Sequence, residues 1–137
     1  MSRLSMAAAF LSCGVALCPE GSQAQDRLTL ILFGANWCAP CVAEVRAISG
    51  IAAAASGNPV VLAWTDDGIS RLRIVLPANV QVASKIRTEQ LWKVHSRSAA
   101  GLPYSVMLDG AGQRCASWSR PLSPEAVPAM RRACRSK

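Results

Sequence analysis

Leu28-Thr-Leu-Ile-Leu-Phe33, then Gly34-Ala-Asn36, then Trp37-Cys38-Ala39-Pro40-Cys41: this stretch decides how the chain folds. Its first six residues are a short, nearly continuous apolar run, the pattern of a strand buried on both faces. Beyond it, Val42, Val45, Ile48 and Ala52 recur at helical spacing. Cys38 therefore falls at a strand-to-helix turn, with Cys41 one turn further in. The first N–H groups of a helix have no intrahelical partner and its dipole is positive there, so both favour a thiolate at Cys38. Cys41 should be the more covered of the two. The spacing predicts a reversible dithiol/disulfide pair in which Cys38 attacks and Cys41 resolves the mixed disulfide. Pro40 belongs in the first turn, where its missing N–H costs nothing.

Other uses of C-x-x-C fit less well. A structural zinc site wants four N/S ligands, whereas this chain has no second C-x-x-C, a lone His95, and Cys115 and Cys134 far apart in sequence. No metal site is expected. Attachment of a c-type haem needs His directly after the second cysteine, and position 42 is Val. A purely structural bridge across so short a loop is sterically awkward, and such bridges tend to be labile.

The motif Trp37-Cys-Ala-Pro-Cys41 after a buried strand, with Gly101-Leu102-Pro103 before another apolar strand, resembles the thioredoxin superfamily. Within it, the chain is most similar to the exported TlpA/ResA-like branch, whose W-C-x-P-C-x-x-E pattern it completes with Glu44. The resemblance runs from about Leu28 to the C-terminus. It implies an α/β fold, a thioredoxin-like three-layer α/β/α sandwich with a central mixed sheet. It further implies that Pro103 is cis, X–Pro bonds being the ones where cis costs little, and that Leu102 and Pro103 shape a peptide-binding edge. Trp37 offers an apolar platform beside Cys38. Two departures matter: the family's helix-kinking proline is Arg46 here, so a straighter helix is expected. The buried aspartate of cytosolic thioredoxins is Leu32 here, an absence shared by exported relatives, so either Glu44 or a water handles the proton of the resolving thiol or the reaction is slower.

The N-terminus combines Arg3, an apolar stretch from Met6 to Cys18, and small residues at Ser22 and Ala24, which reads as a signal peptide over residues 1–24 and a thioredoxin-like domain over 25–137. The alternatives are an uncleaved membrane anchor, or a lipid-modified Cys13 in Leu11-Ser12-Cys13. Cleavage removes Cys13 and Cys18 and leaves an even set in a compartment where disulfides persist. With Cys38 paired to Cys41, a Cys115–Cys134 bridge is the remaining pairing, worth on the order of 3 kcal/mol for a loop of this size. Two buried free thiols are the alternative.

Further elements follow from local signals. The first helix should run from about Ala39 to Ala55 and stop at Ser56-Gly57. Val60 to Trp64 reads as a second buried strand; Asp66 or Asp67 should cap a short helix toward Leu76; Val80-Gln-Val82 reads as an edge strand. Thr88 is the expected cap of a helix running to about Ala99, and Tyr104–Leu108 with Arg114–Trp118 forms a hairpin. Ser123-Pro124-Glu125 opens a last helix, which Pro128 should delay or bend. Trp64, Trp92 and Trp118 read as packing residues, and His95 as a surface or core residue.

Net charge is +7, and removing Arg3 with Glu20 leaves it unchanged. Such a balance attracts acidic surfaces or anionic headgroups weakly. The cluster Arg131, Arg132, Arg135 and Lys137 suits a helix C-terminus better than nucleic acid. The chain therefore reads as an exported, periplasmic thiol:disulfide oxidoreductase. It is expected to be monomeric, with no cofactor beyond a redox-active Cys38–Cys41 disulfide. Protein thiols or disulfides are its expected clients and a membrane-bound donor its electron source. A disulfide-forming oxidase and a Cu(I)-handling module are the rival functions.

Overall fold

A computed structural model describes residues 27–136, so the segment expected to be a signal peptide, with Cys13 and Cys18, lies outside the described residues. Strand β1 (Thr29–Gly34) is the middle of a five-stranded sheet of order β3-β2-β1-β4-β5. It pairs in parallel with β2 (Val60–Trp64) and antiparallel with β4 (Tyr104–Leu108). Parallel β3 (Val80–Val82) and antiparallel β5 (Arg114–Trp118) form the edges. The continuous apolar run of β1 is explained by its two covered faces. Leu30 and Leu32 join Val60, Leu62 and Met107 in one core, while Ile31 and Phe33 join Val61, Ala63, Tyr104 and Val106 in the other. Each such side chain contributes roughly 1.5–3 kcal/mol by leaving water.

The first core is roofed by helices α1 (Ala39–Arg46), α2 (Ile48–Ala54) and α4 (Val127–Arg135), the second by α3 (Lys85–His95). This is the expected α/β/α sandwich. The single helix expected over Ala39–Ala55 is instead two, separated at Ala47 (φ −91°, ψ 12°). Nor is it straight, despite Arg46. The Ala47 amide is shared between the carbonyls of Ala43 (3.2 Å) and Glu44 (3.0 Å), which tightens the last turn without a proline. The buried residues Cys41, Glu44, Val45, Ile48, Ile51 and Ala52 continue along one face through the break. Packing on the sheet is thus kept while backbone continuity is given up.

The segment after β2 and helix α3 also differ from expectation, whereas α4 is delayed as Pro128 predicts. Asp66 and Asp67 cap no helix: only a 3-10 turn forms, Ile69–Leu72, with Gly68 at its cap position. Helix α3 begins at Lys85, capped by Ser84, whose hydroxyl accepts the Arg87 amide at 3.3 Å, and it ends at His95 rather than near Ala99. Thr88 is a buried residue inside it. The outward-facing Ile86 hides this start, because it breaks the apolar periodicity by which the start would be recognised. Helix α4 begins at Val127, since a helix continuing from Pro124 would set the Pro128 ring against the Pro124 carbonyl. Starting late leaves Pro128 in the first turn, where it is tolerated.

The Thr88 hydroxyl is buried without a hydrogen-bond partner. Thr88→Val should therefore leave stability unchanged or raise it by up to ~2 kcal/mol. Ser84→Ala, which removes the actual cap, should cost about 1 kcal/mol in urea unfolding.

Candidate active site

The site is built where β1 gives way to α1. Cys38 is the N-cap of α1: its backbone is extended (φ −93°, ψ 96°), and its sulfur accepts the Cys41 amide at 3.3 Å. Cys38 and Cys41 are joined as a disulfide, with Cα atoms 5.2 Å apart. Cys41 is fully buried and Cys38 nearly so at 5% exposure, so the first cysteine is the one with an outward edge. Trp37 beside it is 75% exposed, the most solvent-facing aromatic residue of the described chain.

Register brings the second motif to the same end of the sheet. Phe33 pairs with Tyr104, so Pro103, just before Tyr104, lies at the end of β4 nearest the exit of β1. The Leu102–Pro103 peptide is cis. Pro103 is buried and Leu102 half-buried against both cores.

A polar clamp that the sequence did not signal holds the loop before Cys38. The Asn36 amide donates to Asp66 Oδ2 (2.8 Å), its side-chain Nδ2 donates to the Gly68 carbonyl (2.7 Å), and its Oδ1 accepts the Trp64 indole N–H (2.8 Å). Asp66 Oδ1 in turn accepts the Gly68 amide at 2.9 Å. Gly68 is required by closeness: a Cβ there would stand 2.1 Å from Asn36 Nδ2. The only available hint was that Asn36 and Asp66 both follow the C-terminal ends of adjacent parallel strands, where sheet folds of this class gather polar function.

Glu44 lies one turn beyond Cys41, 4% exposed, with Oε1 accepting the Leu122 amide at 2.8 Å. Burial raises its pKa from 4.5 to about 7, while the Leu122 amide and the neighbouring Ser105 hydroxyl pull it back down. The Ser105 hydroxyl is itself buried and falls outside hydrogen-bond geometry with every protein partner, so its influence on the carboxylate is weaker than that of the Leu122 amide. Away from this centre, Cys115 on β5 is bonded to Cys134 on α4. His95 is buried on α3, its carbonyl accepting Tyr104 Oη (3.3 Å) and Arg114 Nη1 (2.9 Å). Among the described residues no three His, Cys, Asp or Glu side chains gather as a metal site.

Solved structures share this fold. StoA from Bacillus subtilis is 19% identical and matches 77% of this chain and 83% of its own with a TM-score of 0.57. A putative thiol:disulfide interchange protein DsbE from Chlorobium tepidum is 20% identical over 84% of this chain and 82% of its own, with a TM-score of 0.56. The exposed lipoprotein thioredoxin Etrx1 from Streptococcus pneumoniae is 15% identical over 81% of this chain and 87% of its own, with a TM-score of 0.59. The fold is thioredoxin-like. No protein-family model and no curated protein matches the sequence. Within the thioredoxin-like frame, Cys38, Cys41 and Pro103 occupy one end of the sheet, whereas Cys115 and Cys134 tie its far edge to α4.

Two measurements probe the site's supports. A carboxyl whose pKa is raised on folding stabilises relative to its charged form at low pH, and that advantage is lost as pH rises from 4.5 to about 7. The chain should lose on the order of 3 kcal/mol across this window through Glu44, and Glu44→Gln, which keeps the Leu122 contact, should flatten that part of the stability profile. Asn36→Ala leaves the Trp64 indole and the Gly68 carbonyl without partners and should cost about 2 kcal/mol in chemical denaturation.

Proposed function

We propose that this chain is an exported thiol:disulfide oxidoreductase that reduces disulfides of other exported proteins through Cys38 and Cys41. Cys38 carries the reading: it is the N-cap of α1, takes the Cys41 amide on its sulfur, and is the bridge's less covered end. In the reduced protein the same amide and the helix dipole favour its thiolate. That thiolate attacks one sulfur of a client disulfide, forming a mixed disulfide and releasing the other client sulfur as a thiolate. Cys41, deprotonated, then attacks the Cys38 sulfur; the second client thiolate leaves and the Cys38–Cys41 bond forms, two electrons having passed to the client.

Glu44 is suited to take the Cys41 proton, being buried one turn away with a pKa near neutrality. Trp37 and the Leu102–Pro103 edge receive the client chain at the same end of the sheet. Two electrons must then return to the bridge, and a membrane-bound donor is the source this reading requires. The signal-like Met1–Ala24 segment supports export, and clients of the apocytochrome or copper-site assembly class fit the TlpA/ResA-like resemblance. The chain is proposed to act as a monomer.

Cys41→Ser should accumulate mixed disulfides on Cys38 in the exported fraction, visible on non-reducing gels and reversed by thiol, and Cys38→Ser should not. Equilibration with glutathione fixes direction. A potential toward thioredoxin's about −270 mV supports the reductase, and one near the about −120 mV of the strongest oxidant would replace it with the disulfide-forming oxidase.

A further inference from the structure

Helix α3 covers the second core with Thr88, Leu91 and His95, which are buried. On its opposite face stand Ile86, Gln90, Lys93 and Val94, spaced i, i+4, i+7 and i+8 and all exposed. Ile86 is 70% and Val94 62% exposed, although solvent gives no reason for β-branched aliphatics on a helix surface, where their helix propensity is also poor. Cations surround them: Lys85, Arg87 and Lys93 on the helix and Arg97 just past it, against the single acid Glu89. Arg87 also borders an open groove of about 890 Å³ with Arg27 on its rim and Ile31, Val61 and Leu91 in its floor. Asp109 at that groove has its Oδ1 engaged by the Ala111 and Gln113 amides, each at 2.9 Å.

We propose that the outer face of α3, with the adjoining Arg27–Arg87 rim, docks this protein on an anionic lipid bilayer. Scattered cations around isolated aliphatic side chains suit a headgroup layer, into which Ile86 and Val94 insert shallowly while the cations meet phosphates. A protein partner's interface core would call for a contiguous patch with aromatic anchors, and this face has none. At 11 residues α3 is too short to cross a bilayer, so its contact with one is peripheral. It is independent of the thiol chemistry, because α3 covers the sheet face opposite α1 and its cysteines.

The lysines provide the test, since Lys85, Lys93 and Lys137 are the only ones in the chain. The full chain is acetylated in the presence of phosphatidylglycerol-containing vesicles or of pure phosphatidylcholine vesicles, and site occupancy is read by mass spectrometry. Any membrane affinity of the N-terminal segment is common to both. On the anionic vesicles, labelling of Lys93 and Lys85 should fall at least threefold relative to Lys137, and the protection should fade with added salt. Ile86→Ser/Val94→Ser should lose most of it, and Arg132→Glu/Arg135→Glu, an equal charge change elsewhere for Arg87→Glu/Arg97→Glu, should keep it. Equal labelling of Lys93 on both vesicles, or loss of protection in the Arg132/Arg135 variant to the same extent as in Arg87→Glu/Arg97→Glu, overturns the proposal. Protection by polyglutamate but by neither vesicle would assign the face to an acidic protein instead and overturn it equally. Glutathione equilibration of each variant checks that the thiol pair is untouched, so failure here and failure of the oxidoreductase reading are separable.

Discussion

Strand β1 must be buried on both faces and yet deliver a sulfur to the surface within a few residues of its end. The two requirements conflict, because Leu30 through Gly34 bury themselves completely in opposite cores while Trp37 is largely in solvent. The turn from strand to helix resolves the conflict. Cys38 donates its amide to the Ala35 carbonyl at 3.1 Å, and its carbonyl accepts the first α-helical amide, that of Val42, at 3.1 Å. Its side chain is left facing the free amides of the first turn. The position that ends the strand's burial is therefore also the position at which a thiolate is best stabilised.

A loop that short has little internal bonding to hold it, and the Asn36 clamp supplies the rest. Asn36 uses its backbone and both ends of its amide to fasten the Cys38 loop to Trp64 at the end of β2 and to the connection after it, with Asp66 closing the ring through Gly68. Gly34 makes the same junction possible from the other side, because a Cβ on it would enter the Trp64 ring. Fastening the loop to the end of an adjacent strand, rather than leaving it to its own bonds, is what fixes the geometry of the two sulfurs.

The elements with two independent signals were legible in sequence. β1 had both its apolar run and the C-x-x-C after it, and the β4–β5 hairpin had an apolar strand and the Asp109-Gly-Ala-Gly112 turn. What escaped was set by tertiary packing. No residue pattern marks the break at Ala47, since Ala is a strong helix former; beyond it α2 lies so close to Pro124 that a Cβ at Gly50 would approach it to 2.8 Å. The clamp escaped for a related reason: Asn36 and Asp66 are ordinary loop residues until parallel pairing of β1 with β2 sets their strand ends side by side.

Glu44 illustrates how one contact can serve both fold and chemistry. Its carboxylate accepts the Leu122 amide and so joins α1 to the segment that leads into α4, itself bonded to β5 through Cys134 and Cys115. An amide side chain of equal shape would make the same hydrogen bond without the cost of burying a charge. An ionisable group whose pKa is lifted to about 7 is a poor choice for structure alone, because it destabilises the fold over the pH range in which it titrates. Its place one turn beyond Cys41 is consistent with the proton-handling role proposed above. On the proposed mechanism, a group that can hold or release a proton near neutrality is what a buried resolving thiol needs.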